Sequence, residues 1–271
     1  MTAAPQLDLA AVKARQQATW ASGDYAEVAT LIVPVAERLA DAADLHAGWT
    51  VLDVAAGSGN AAIAAARLGC VVSGIDYVPA LLERGRERAA AERVAVDFRD
   101  GDAEEIPFGD GVFDATLSVF GSMFAADQRR AASELVRVTR PGGRIALASW
   151  TPDGFIGELF RTVGAHVPPP AGVDSPLLWG TEERLGELFG GDVIWSHSRE
   201  TFTFRFVSPD AFVDYFTAYY GPTLKAAEAA GPSREALLSD LRQLAASANR
   251  LAGDGPIALP STYLQSVGSR R

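Results

Sequence analysis

Between Trp49 and Trp150, short runs of β-branched and apolar residues alternate with Ala-, Glu- and Arg-rich stretches of helical length. The first kind reads as strands at 50–55, 71–76, 94–99, 112–119 and 144–150, and the second as helices near 59–68, 79–92 and 127–138. Strands and helices in alternation predict a parallel sheet with helices on both faces. Ahead of it, residues 9–46 read mostly as helix, with Leu31, Ile32, Val35 and Leu39 at helical spacing and Glu37, Arg38 and Asp41 on the other face. The stretch Trp20-Ala-Ser-Gly-Asp-Tyr25 interrupts that pattern with turn residues and two aromatics. Beyond Trp150, helices are expected over 155–164 and 181–189, with Val167-Pro-Pro-Pro170 between them as a loop that cannot continue a helix. Phe202, Phe204 and Phe206 alternate as in a strand over 193–207, and 257–267 is a last strand. Between these two, residues 209–252 are helical, with breaks at Gly221-Pro222 and Gly231-Pro232. That stretch is short for a domain and reads as an insertion. The expectation is one domain over 1–271, with an amino-terminal helical segment (1–48), a core (49–150) and a second half (151–271).

Composition narrows the partners. The chain has 271 residues, 48% hydrophobic and 21% charged, enough to bury a substantial core. Lys and Arg total 24 against 34 Asp and Glu, a formal charge of −10, and no basic run stands out, so nucleic acid is not expected as a partner. One cysteine, Cys70, leaves no intrachain disulfide to form. Met1 to Ala11 has no basic region followed by an apolar stretch, and nowhere are 18 apolar residues uninterrupted, which reads as a soluble, cytoplasmic chain with no membrane partner. His46, His166 and His197 lie far apart without ligand spacing, so no metal site is expected.

The most informative segment is Val51-Leu-Asp-Val-Ala-Ala-Gly-Ser-Gly-Asn60, a buried strand running into small residues and then a helix. Small residues let backbone N–H groups approach a ligand at a helix amino terminus. Asp76 ends the next strand, where a carboxylate can accept both ribose hydroxyl protons. Gly57-Ser-Gly59-Asn-Ala-Ala62 also satisfies the looser dinucleotide pattern, which leaves nicotinamide or flavin dinucleotides and S-adenosylmethionine as alternatives. Three features favour the second. Asp53 precedes the glycines, where a carboxylate suits a ligand ammonium better than a diphosphate. Asp100-Gly-Asp-Ala-Glu-Glu-Ile-Pro-Phe108 places Asp102 to accept an adenine amino group and the Ala103 N–H to donate to a ring nitrogen. Val138-Thr-Arg-Pro-Gly-Gly-Arg144 is a helix stop and tight turn before the fifth strand.

Taken together, Val51–Asn60, Ile75-Asp76, Gly101–Phe108, Val112-Phe-Asp114 and Arg140-Pro-Gly-Gly143 resemble the class I S-adenosylmethionine-dependent methyltransferases. The resemblance is nearest to the branch of the ubiquinone/menaquinone-biosynthesis C-methyltransferases and many natural-product methyltransferases, and covers about residues 49–150. It implies an α/β, Rossmann-like, seven-stranded, mostly parallel sheet with the last strand antiparallel, an amino-terminal helical lid and a helical insertion before the last strand. It also implies S-adenosylmethionine as cofactor. Ala55, Gly57, Ser58 and Gly59 would border its methionine moiety, Asp76 and Tyr77 its ribose, and Gly101, Asp102 and Ala103 its adenine. Ser118 and Phe120, at the end of the fourth strand, would lie by the sulfonium. Ala55 departs from the family, which usually has glycine there.

Methyl transfer is an in-line displacement that needs alignment and exclusion of water more than an acid–base pair. No catalytic residue is therefore assigned; His166, before the triple proline, is a candidate general base beside its plainer reading as a loop anchor. Trp20 and Tyr25 are candidate lid aromatics, able to exclude water and to stabilise a sulfonium by cation–π contact worth roughly 0.5–2 kcal/mol. Phe212, Tyr215, Phe216, Tyr219 and Tyr220 read either as packing against the sheet or as an apolar roof for an aromatic or lipid-like acceptor. The leading expectation is methyl transfer to carbon, oxygen or nitrogen of a small aromatic or hydrophobic molecule. A nicotinamide-dependent oxidoreductase and a non-catalytic S-adenosylmethionine binder stand as alternatives, and a homodimer is left open.

Overall fold

The computed structural model describes residues 8–251, 253 and 255–271; residues 1–7 of the expected amino-terminal segment, and residue 252 of the expected insertion, lie outside the described residues. Strands β1 (Thr50–Val54), β2 (Val71–Asp76), β3 (Val96–Asp100), β4 (Phe113–Val119) and β5 (Thr139–Trp150) run parallel. β6 (Val193–Phe206) and β7 (Ile257–Arg270) complete one sheet of order β3-β2-β1-β4-β5-β7-β6, with β7 antiparallel to both its neighbours. This is the seven-stranded α/β sheet expected, last strand reversed. Val51, Leu52 and Val54 are all buried, as a central strand covered on both faces requires.

Among the described residues three short helices precede the sheet: α1 (Leu9–Trp20), α2 (Tyr25–Leu31) and α3 (Val33–Ala42). The core crossovers are α4 (Asn60–Arg67), α5 (Pro79–Glu92) and α6 (Gln128–Val138). α7 (Phe155–His166) and α8 (Glu182–Phe189) follow β5, and α9 (Pro209–Tyr219), α10 (Gly221–Ala229) and α11 (Arg234–Ala248) lie between β6 and β7. Among the described residues no helix is long and apolar enough to cross a membrane.

Two boundaries differ from the expected ones for local reasons. β3 starts at Val96 rather than 94 because Arg93 closes α5 in the left-handed region (φ 59°) and the Val94 N–H still bonds the Ala89 carbonyl. β5 starts at Thr139 rather than 144 because Thr139 already pairs with Phe113, and the ladder then jumps to Ala115–Arg144 with 140–143 bulged out. The bulge is pinned: Arg140 Nε donates to Asp114 Oδ1 at 2.7 Å, while Asp114 Oδ2 accepts the N–H and hydroxyl of Thr50 at 2.8 and 2.9 Å. These bonds tie β1, β4 and β5 together at their amino ends.

From β1 the chain moves outward to β2 and β3, then returns to place β4 on the other side of β1. The carboxyl ends of β1 and β4 therefore flank the point where strand order reverses, the place where open α/β sheets bind ligands. The inserted helices reach the same edge. Gly221 makes this approach possible, since a Cβ there would stand 2.1 Å from the Thr19 carbonyl oxygen of α1.

Candidate functional site

A cavity opens at the carboxyl ends of β1, β2 and β4 and is covered by α1 and α2; with its solvent-filled mouth included, the space is about 860 Å3. Its floor is the loop after β1. Ala55 and Gly57 both take positive φ there, at 55°, so the chain turns sharply and aims its next amides at the β2 end. The Gly57 N–H donates to Asp76 Oδ2 at 2.8 Å and the Val78 N–H to Asp76 Oδ1 at 2.9 Å. Asp76 thus holds two backbone turns while each carboxylate oxygen keeps a further lone pair. Asp53 closes the other side. Gly59, the residue before α4, has no side chain to cap that helix, and Asp53 Oδ2 takes over by accepting the Ala62 N–H at 2.8 Å.

Both acids are buried. Burial pushes the Asp53 carboxyl up to about 7, against the pull of the Ala62 N–H, with the Asp76 charge adding to the rise. Burial likewise pushes Asp76 up to about 6, opposed by its backbone donors. Further along the wall, Asp102 Oδ1 accepts the Glu104 N–H at 2.9 Å, and Lys13 Nζ sits 2.6 Å from both Asp102 Oδ2 and Glu104 Oε2. Gln17 Nε2 of α1 donates to the Tyr77 carbonyl at 2.6 Å.

Aromatic side chains line the same cavity. Trp20 meets Tyr25, Phe124 and Tyr220 edge-on, at centroid distances of 5.2, 4.8 and 5.8 Å. The Tyr25 ring lies over Gly57 and is partly buried, and its removal from water, with the Asp76 charge, holds its phenol protonated well above the usual range.

Of the residues singled out in the sequence, the structure brings Trp20, Tyr25, Asp53, Ala55, Gly57, Ser58, Asp76, Tyr77, Asp102, Ala103 and Phe120 to this cavity. Four stand elsewhere. Ser118 does not line it: its hydroxyl donates to the Val54 carbonyl at 2.8 Å and accepts the Ser122 N–H and hydroxyl, each at 2.9 Å, so it bolts β4 to β1 from inside. Gly59 is set back against the Phe98 ring, and Gly101 against Ile75. His166 belongs to α7, away from the cavity lining, and its Nε2 pairs with Asp240 Oδ2 of α11 at 2.7 Å; it ties two helices together and faces no acceptor here. The reading of His166 as a base above the site is corrected accordingly.

Sequence reasoning missed Lys13, Gln16, Asn60, Glu104, Gly121 and Ser122 among the lining residues. Lys13, one of two lysines in the chain, had a signal in its rarity. Gly121 and Ser122 follow directly on the end of β4, at the strand-order reversal where lining residues are to be sought.

Residues 52–147 match a family model described as a methyltransferase domain. The uncharacterized protein Rv1403c of Mycobacterium tuberculosis is 42% identical over 220 residues, which is 80% of this chain and 80% of that protein. A demethylmenaquinone methyltransferase of Deinococcus radiodurans is 37% identical over 160 residues, 53% of this chain and 66% of that one. Among solved structures, the YcgJ protein of Bacillus subtilis superposes with a TM-score of 0.59 at 19% identity, covering 87% of this chain and 97% of that one.

Proposed function

This chain belongs to the class I S-adenosylmethionine-dependent methyltransferases, on the ubiquinone/menaquinone-biosynthesis-type branch, and from that premise we propose that it methylates a small aromatic or hydrophobic molecule. The nicotinamide and non-catalytic readings give way to that membership. The observation that carries the acceptor class is the pairing of acidic and aromatic side chains in one cavity. Asp53, Asp76, Asp102 and Glu104 line it together with Trp20, Tyr25, Phe120 and Phe124. Among the described residues lining the cavity the one basic side chain, Lys13, is already paired with Asp102 and Glu104, so an anionic acceptor meets no free cation among them.

The acidic groups also suit the cofactor. A diphosphate would be set against Asp53, Asp76, Asp102 and Glu104, whereas an adenosyl sulfonium brings hydroxyls, an amino group and positive charge to the same groups. In this reading Asp76 accepts from the ribose hydroxyls. Asp102 and the Ala103 N–H take the adenine edge. Gly57, Ser58 and the oxygen of Asp53 not used by Ala62 hold the amino-acid end. When bound, S-adenosylmethionine supplies a methyl group whose bond to sulfur breaks as the acceptor attacks, the electron pair returning to sulfur. Trp20 and Tyr25 keep water from the site and offer ring faces that favour a cation. Among the described residues no acid–base pair accompanies the aromatic side chains, so this chemistry suits an acceptor that attacks through a neutral lone pair or an electron-rich carbon and gives its proton to water after the methylated product leaves.

The test is label transfer from methyl-labelled S-adenosylmethionine in a small-metabolite extract and, separately, to bulk tRNA. Label entering an organic-extractable, low-mass product is expected. Label in tRNA, or only in acidic low-mass products, would count against the acceptor class.

A further inference from the structure

The amino-acid end of S-adenosylmethionine carries an ammonium and a carboxylate. Asp53, Asp76, Asp102 and Glu104 suit the ammonium, but Lys13, bonded to two of these acids, is not at hand for the carboxylate. We propose that Arg88 of α5 is a positioning residue for that carboxylate, holding Ser58 and Asn60 from behind the glycine loop and lending them its positive charge; the inference rests on the methyltransferase reading above. Arg88 does not line the cavity, whereas Ser58 and Asn60 both do.

Two glycines bring α5 this close to the loop. A Cβ on Gly85 would stand 2.8 Å from Phe98 Cζ, and one on Gly59 2.6 Å from the same atom, so helix and loop meet at one ring of β3. Arg88 follows Gly85 by three positions and so lies on the same side of the helix. Its Nη1 donates to the Ser58 carbonyl at 2.7 Å, to Ser58 Oγ at 3.1 Å and to Asn60 Oδ1 at 2.7 Å. All three acceptors are neutral, and Arg88 makes no ion pair among the described residues. The acid whose charge acts on it, Glu92, is bonded by Arg67 Nε at 2.6 Å. Burial lowers the Arg88 pKa, yet a guanidinium stays charged at neutral pH. A half-buried cation held by neutral oxygens is only partly compensated, and an anion on the cavity side of Ser58 and Asn60 would complete it.

A guanidinium can only donate, so it decides how both side chains are turned. Ser58 Oγ accepts and keeps its own proton for another partner. Asn60 gives its oxygen to Arg88, which sends Nδ2 to the Ala29 carbonyl of α2 at 2.8 Å and leaves its second N–H over. Donors whose oxygens accept from a cation are strengthened by polarisation. Ser58 and Asn60 are both buried, so this acts away from water. The Asn60 bond also fastens the glycine loop to α2, a helix that covers the cavity.

The experiment titrates S-adenosylhomocysteine and its decarboxylated form into full-length wild type, Arg88→Gln and Arg88→Lys by calorimetry, with circular dichroism to verify each fold. Wild type should bind the decarboxylated form at least about tenfold more weakly. Arg88→Gln should weaken S-adenosylhomocysteine about tenfold and leave the decarboxylated form within about twofold, since only the first carries the carboxylate. Arg88→Lys keeps the charge without the planar fork and should fall between, at about threefold. A residue serving only the fold would lower both ligands alike. Should Arg88→Gln not fold, Arg88→Lys decides by the same comparison. Failure of wild type to bind S-adenosylhomocysteine would overturn the cofactor reading, and this proposal with it. With that binding in place, equal affinity of wild type for the two ligands, equal losses in the variant, or undiminished S-adenosylhomocysteine affinity in the variant overturns the role of Arg88 alone.

Discussion

Ala55 stands where this family usually carries glycine, and its backbone pays the expected cost: φ is 55°, in the left-handed region. An L-residue there loses about 1–2 kcal/mol relative to glycine's freedom, partly offset by the larger unfolded-state entropy of glycine. The methyl is tolerated because the neighbouring position is empty; a Cβ on Gly121 would lie 2.7 Å from Ala55 Cβ and 2.6 Å from its carbonyl oxygen. Ala55→Gly should therefore raise unfolding stability by about 0.5–1 kcal/mol in urea titrations and leave cofactor affinity within about twofold. A loss of stability would show that the methyl contributes packing that outweighs the strain. Phe120, at φ 53°, carries the same kind of strain and lines the same cavity. Two non-glycine residues held in this region at one cavity is the pattern of a site whose surroundings over-determine the backbone.

At the scale of elements, the reversal of strand order between β1 and β4 is held by Ser118. Its hydroxyl joins the Val54 carbonyl to the Ser122 amide, so Ser118→Ala leaves a buried N–H and a buried hydroxyl short of a partner. Thermal and urea unfolding should report a loss of about 1–3 kcal/mol. A near-neutral substitution would mean that the loop after β4 re-pairs on its own. Ser118 also marks where sequence reasoning stops. The strand–glycine–helix loop, Asp76 at the β2 end and Asp102 after β3 were legible because each is a local pattern of a few residues. Which strand-end side chain turns to the ligand and which turns inward depends on pleat and register, which no single run of residues specifies; Ser118 and Val119 are adjacent, and only Val119 reaches the cavity. Lys13 lay beyond reach for another reason, since its bond to Asp102 spans 89 positions and depends on how α1 folds back over the sheet. The bulge at 140–143 hid the true start of β5, because glycine and proline read as a turn whether or not Thr139 has already paired.

Over the whole molecule the charge of −10 is concentrated to effect where Asp53, Asp76, Asp102 and Glu104 meet at one cavity. Asp53 and Asp76, raised by burial to about 7 and about 6, hold protons in the fold that the unfolded chain releases nearer the ordinary carboxylate range. Between roughly pH 4 and 7 the native state therefore binds more protons, and the free protein should lose stability as pH rises through that window and level off above it. Asp114 acts in the opposite sense at lower pH: burial raises its carboxyl, but the bonds from Arg140 and Thr50 outweigh this and hold it low, so its support is lost only in acid. Positive charge brought by the cofactor favours the ionised acids, so S-adenosylmethionine affinity should rise between about pH 5.5 and 7.5, with proton release visible as buffer-dependent binding heat. A flat profile would place Asp53 and Asp76 outside the field of the bound cation. The most direct test of the account as a whole is calorimetric titration of S-adenosylmethionine into wild type and Asp76→Ala at neutral pH, with circular dichroism to verify the fold. Loss of two charge-assisted hydrogen bonds predicts one-site binding by wild type and at least about thirtyfold weaker binding by a folded Asp76→Ala. Equal affinity in the two proteins would contradict the placement of the cofactor at the β1–β4 reversal.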